Sequence, residues 1–188
     1  MGCDTSKAES REDIELQENG EDFTDNQIDS IKSTWPLLSR NKLSTGLELF
    51  RLIFLTEPKI KSLFLERKNI HEEDILQNSD FKEHIEKFMQ TLGHVVDTLD
   101  TNREESEQTL LLLGAKHGMI EGFNEDYFTV YSSCMIDTWE SVIGEEFILE
   151  VKESWEALCA FITRFMREGY SLYQQETGRN ESDNEAIV

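Results

Sequence analysis

Residues 46–64 read GLELFRLIFLTEPKIKSLF. Together with Leu43, the residues Leu47, Phe50 and Phe54 recur at intervals of three and four. That spacing places them on one face of a helix and predicts a helix over about 42–55 with this face turned inward. Pro58 then opens a second, short helix. Proline suits a first turn, because the N–H it lacks has no partner there in any case. Phe64 follows six residues later. Two apolar helices meeting at a proline, with no period-2 alternation nearby, set the class as all-α.

The same grammar extends in both directions. In FTDNQIDSIKSTW (residues 23–35), Thr24 and Gln27 have capping-box spacing, and Phe23 and Ile28 can staple the start. Ile28, Ile31, Trp35 and Leu38 form one face, and Pro36 is expected to kink or end that helix. Residues 65–78 are polar and read as loop. Phe81, Ile85, Phe88, Leu92, Val95 and Leu99 stripe the next long helix. A shorter helix ends in TLLLLGAKHG, with Gly118 as its expected stop. Asn124 is expected to cap a helix over about 125–143, closed by Gly144. A last helix, about 145–176, is striped by Phe147, Val151, Trp155, Leu158, Ile162, Phe165 and Met166. Seven or eight helices in one domain over 23–177 are therefore expected, with no internal repeat.

Composition excludes several function classes. The 188 residues hold 39 acids against 18 Lys and Arg, a formal charge of -21, and no basic cluster suited to nucleic acid. No apolar run approaches the ~20 residues that span a bilayer, and no secretory signal is present. Residues 4–22 hold eight acids, two bases and almost nothing apolar. That segment and residues 178–188 are expected to be disordered tails. Cys3, Cys134 and Cys159 lack zinc-site spacing. Cys134 and Cys159 read as small buried side chains, with a disulfide between them left open. An acidic helical chain also invites comparison with calcium sensors, but no EF-hand loop spacing occurs.

Of the four histidines, His84 and His117 stand apart. His117 ends an apolar helix, and its ring can donate to the carbonyl one turn back, near Leu113, leaving the other nitrogen to ligate a metal. His84 lies on the inner border of its helix, one turn before Phe88. A buried imidazole without a partner is costly, so two inward histidines suggest a shared metal. Zinc would want four protein ligands, whereas two axial ligands suit an iron held by a porphyrin. Phe50, Phe54, Phe64, Ile85, Phe88 and Leu113 would wall a flat apolar cofactor, although an aromatic stripe at helical spacing is more often plain core.

These residues resemble the globin family over Phe23 to Gln174. GLELFRLIFLTEPKIKSLF resembles the second and third globin helices, with Phe64 as the phenylalanine that stacks on haem. DFKEHIEKFM resembles the distal helix and LLLLGAKHG the end of the proximal one, making His84 the distal and His117 the proximal histidine. Within the family, neuroglobin and the membrane-associated globin X are the nearest patterns. The resemblance implies haem b, a globin fold, and iron bound by both His117 and His84. It implies a haem propionate contact for Lys87. Phe88 and Phe50 are larger than the residues usual in oxygen-storage globins and would crowd the ligand side.

The functional expectation is a six-coordinate haem globin acting in electron transfer, in reactive oxygen or nitrogen chemistry (nitrite reduction, nitric oxide dioxygenation) or in signalling. Reversible oxygen storage or sensing is the alternative. A reductase would be a separate partner. The N-terminal MGCDTS matches a myristoylation pattern at Gly2, with Cys3 placed for palmitoylation. One acyl chain holds weakly and the tail is acidic, so both lipids are needed. The expected location is the cytoplasmic face of the plasma membrane.

Overall fold

The computed structural model describes residues 23–68 and 71–185. Gly2 and Cys3 lie outside them. Seven α-helices and two short 3-10 turns make up the described residues: α1 (Asp25–Ser39), α2 (Lys42–Thr56), α3 (Pro58–Lys68), α4 (Ser79–Thr98), α5 (Arg103–Gly118), α6 (Tyr127–Ile143) and α7 (Leu149–Glu185). There is no strand among them.

Local chemistry explains most boundaries. At the start of α1 the Gln27 N–H donates to Thr24 Oγ1 (3.3 Å) while the Thr24 N–H donates to Gln27 Oε1 (2.9 Å), which completes the capping box. Phe23 is buried against Phe161 of α7, ring centroids 5.4 Å apart. Asn78 caps α4 by accepting from the Phe81 N–H at 3.1 Å. Gly144 ends α6 with φ of 68°, a backbone conformation that favours glycine.

Several expectations are corrected. Pro36 does not end α1, which runs on to Ser39. Lying in the last turn, it removes one intrahelical donor, and the Arg40 N–H still closes on its carbonyl at 3.1 Å. The stretch 65–78 is largely helical: α3 continues to Lys68, and Glu72–Gln77 form a 3-10 turn anchored by buried Ile75. Gly118 does end α5, as expected, though not through a left-handed backbone. It is needed because a Cβ there would meet the Tyr173 ring at 2.9 Å. Asn124 starts a turn rather than capping α6: its Oδ1 accepts from the Asp126 N–H (2.9 Å) and its carbonyl from the Tyr127 N–H (3.0 Å). The last helix begins at Leu149, after a 3-10 turn over Gly144–Glu146.

The core is one cluster. Leu49, Phe50 and Ile53 of α2 pack against α4 and α6, while Trp139 and Trp155 are fully buried where α6 meets α7. Leu43 and Leu47, expected inward, are only half-buried, because the inward face of α2 is centred on Leu49 and Ile53. The Trp155 Nε1–H donates to Thr34 Oγ1 at 3.0 Å, tying α7 to α1. Cys134 and Cys159 are free and buried, and burial pushes the Cys159 thiol up to about 12. The backbone stays helical to Glu185.

Candidate functional site

A cavity of about 500 Å³ opens between α3, α4, α5, α6 and α7. Each helix reaches it with residues at helical spacing. From α4 come Asp80, His84, Lys87, Phe88, Thr91 and Val95, a stripe beside the Phe81–Ile85–Met89 face that enters the core. From α5 come Leu110, Leu113, Lys116 and His117. Phe64 closes the α3 side, and Phe128, Tyr131 and Met135 line the α6 side. The wall is chiefly apolar, and two of its few polar groups are imidazoles on separate helices.

His117 is oriented as its sequence position implies. Its Nδ1 lies 2.8 Å from the Leu113 carbonyl oxygen. A carbonyl only accepts, so Nδ1 carries the hydrogen and Nε2 carries the lone pair that can ligate a metal. Phe123 and Phe128 flank the ring at 5.1 and 5.7 Å between centroids.

His84 sits edge-on between Phe50 and Phe64, with centroid distances of 5.5 and 5.0 Å. Its pKa is lowered to about 4, first by burial, then by the charges of His117 and Lys87. The ring is therefore neutral at ordinary pH and keeps a lone pair. Its nitrogens make no hydrogen bond within the described residues. Such a group inside an apolar wall is costly unless something binds it.

The other expected residues are placed as follows. Phe64, Phe88 and Leu113 line the cavity. Phe50 is fully buried and stands behind the wall, its ring 5.5 to 5.7 Å from those of Phe81, His84, Phe88 and Tyr131. It thus backs the ligand side and does not face it. Lys87 is at the rim, where its Nζ pairs with Glu83 Oε1 at 2.6 Å. Lys116 shares that rim and was not anticipated from sequence. Nor were Phe123, Phe128 and Tyr131, although their positions after His117 along α6 and its approach offered a signal.

Comparison with known proteins sets the fold in its family. The globin family model matches residues 47–166. This chain belongs to the globin family. Its sequence is also similar to neuroglobins: 25% identity to that of Dissostichus mawsoni and 26% to neuroglobin-1 of Oncorhynchus mykiss, each over 152 residues, covering 80% of this chain and 94% of the relative. This globin is therefore neuroglobin-like. Among solved structures, a hexacoordinated heme protein from an anhydrobiotic tardigrade superposes with a TM-score of 0.72 at 22% identity, covering 79% of this chain and 96% of the other. Botfly hemoglobin, from Gasterophilus intestinalis, gives 0.69 at 14%, covering 79% and 99%.

The family implies haem, and the residues of this globin fit one. No group of three or more His, Cys, Asp or Glu side chains gathers for a bare metal among the described residues. The cavity has an imidazole on each of two helices, an apolar interior and lysines at its mouth in a chain of net charge -21. That donor set matches a flat, apolar, doubly anionic porphyrin, which brings four ligands of its own.

Proposed function

We propose that this globin binds one haem b with His117 on one side and His84 on the other, and acts in one-electron or reactive oxygen and nitrogen chemistry at a membrane. The observation that supports it most is His84: half-buried, neutral and without a hydrogen-bond partner among the described residues, on the cavity wall. Ligation removes the cost of leaving it so. When bound, haem supplies an iron that exchanges one electron and takes small ligands such as oxygen, nitric oxide or nitrite.

The chain's own residues define the rest. His117 is fixed by the Leu113 carbonyl and holds its ring to one orientation. His84 has no such tether, so it can leave the iron without breaking a protein hydrogen bond. Any external ligand must compete with it, and apparent affinity falls by the fraction of open sites. That disfavours bulk oxygen storage and favours redox turnover or signalling. Phe88 and Phe64 exclude water from the His84 side, and Lys87 can exchange Glu83 for a propionate. Electrons would come from a separate reductase.

The membrane part rests on sequence. Gly2 for myristate and Cys3 for palmitate would anchor the chain at the cytoplasmic face of the plasma membrane. No helix among the described residues is long and apolar enough to cross a bilayer.

Haem titration of three proteins tests the site. The native chain should take up one haem per chain. His117→Ala should lose haem retention by at least tenfold, and His84→Leu should retain haem but change from six- to five-coordinate. Equal retention in His117→Ala, or an unchanged spectrum in His84→Leu, contradicts the assignment.

A further inference from the structure

Tyr131 has a role that the proposed pair of iron ligands does not explain. It sits mid-way along α6 and lines the cavity together with Phe128 and Met135. Its ring centroid is 5.6 Å from that of Phe50; His84 is 5.5 Å and Phe88 5.7 Å from the same ring. Tyr131 therefore shares the His84 end of the cavity, whereas His117 packs with Phe123.

Its hydroxyl makes no hydrogen bond within the described residues. Burial around the phenol, with the charge of Cys134 adding to it, raises its pKa well above the ordinary value. The residue lines the cavity wall. A phenylalanine would build the wall equally well, so the hydroxyl calls for a polar partner. The raised pKa keeps the O–H protonated, so toward a ligand with a lone pair it donates.

We propose that the Tyr131 hydroxyl is the hydrogen-bond donor to a diatomic ligand that takes the His84 side of the haem once His84 has moved away. The proposal rests on the haem assignment above. It makes Tyr131 a specificity-determining residue: ligands that build up negative charge when bound, such as oxygen, are retained over carbon monoxide.

The test uses the full-length, haem-loaded protein in a His84→Leu background, which removes the imidazole as a rival donor. Tyr131→Phe should raise the infrared stretching frequency of bound carbon monoxide and speed oxygen dissociation by about tenfold, the effect of losing one hydrogen bond. Replacing Tyr131 with 3-fluorotyrosine, a more acidic phenol of nearly the same shape, should lower the frequency. This second arm stands if Tyr131→Phe fails to fold. Coincident infrared bands and oxygen dissociation rates in the folded variants would overturn the proposal. Absence of any haem absorption band in the His84→Leu parent would instead overturn the haem assignment itself.

Discussion

His84 carries its charge state in its surroundings. Burial holds its pKa near 4, below the ordinary 6.5, with His117 and Lys87 adding to the shift. An unfolded chain takes up a proton near pH 6.5, while the folded haem-free protein resists until about 4. Between those values the unfolded state binds more protons, so stability falls as pH falls. The haem-free protein should lose up to about 3 kcal/mol across that window. In His84→Leu this part of the pH dependence should vanish, which urea unfolding at pH 7 and pH 4.5 can measure. At this scale His117 was legible in the sequence, because an imidazole and the carbonyl four residues earlier meet by helical geometry alone. His84 was legible as an inward residue, but its lack of a partner was not. Phe50 was placed on the correct face and one layer too shallow. Helical spacing gives direction and not depth, and depth is set by Phe64 and Phe88 in front of it. Tyr131 escaped notice because one tyrosine among apolar residues looks like core until it is found to line a cavity.

At the scale of elements, the position of His117 depends on how closely α5 approaches α7. Gly114 and Gly169 make the crossing: a Cβ at Gly114 would fall within clash distance of the Met166 carbonyl, and one at Gly169 within that of the Leu111 carbonyl. Backbone cannot yield as a side-chain tip does. Gly114→Ala should therefore cost on the order of 2 kcal/mol or more and, by tilting α5, also weaken haem retention. Thermal unfolding and haem transfer rates check the two effects separately. A substitution that lowers stability and leaves retention intact would show that α5 does not position the ligand. On the far side of the core, Thr34→Val leaves the buried Trp155 N–H without an acceptor and should cost about 1–3 kcal/mol in chemical denaturation. Helix existence was legible throughout, since the apolar stripes are strong. Boundaries failed where tertiary contacts overrode local signals. Ile75 draws a polar stretch into a helical turn, whereas the stop at Gly118 held, with Tyr173 packed across the interface where a Cβ would stand.

At the scale of the whole molecule, charge and function pull in opposite directions. A net charge of -21 repels the anionic surface of a cytosolic membrane leaflet, while Lys87, paired with Glu83, and Lys116 stand at the cavity together with Asp80. The membrane attachment proposed above would therefore depend on lipid. Gly2→Ala should move the protein to the soluble fraction of cells, and Cys3→Ser should release most of it, because one myristoyl chain holds only marginally. Fractionation that leaves Cys3→Ser fully membrane-bound would contradict the two-lipid account. The central claim, however, concerns the cavity: a neuroglobin-like globin whose own His84 closes the ligand side. The most direct measurement is the absorption spectrum of the reduced, ligand-free, haem-loaded protein at neutral pH. The account predicts the sharp, paired visible bands of a low-spin, six-coordinate haem, lost in His84→Leu. A single broad visible band in the native protein, the mark of a five-coordinate haem, would contradict it.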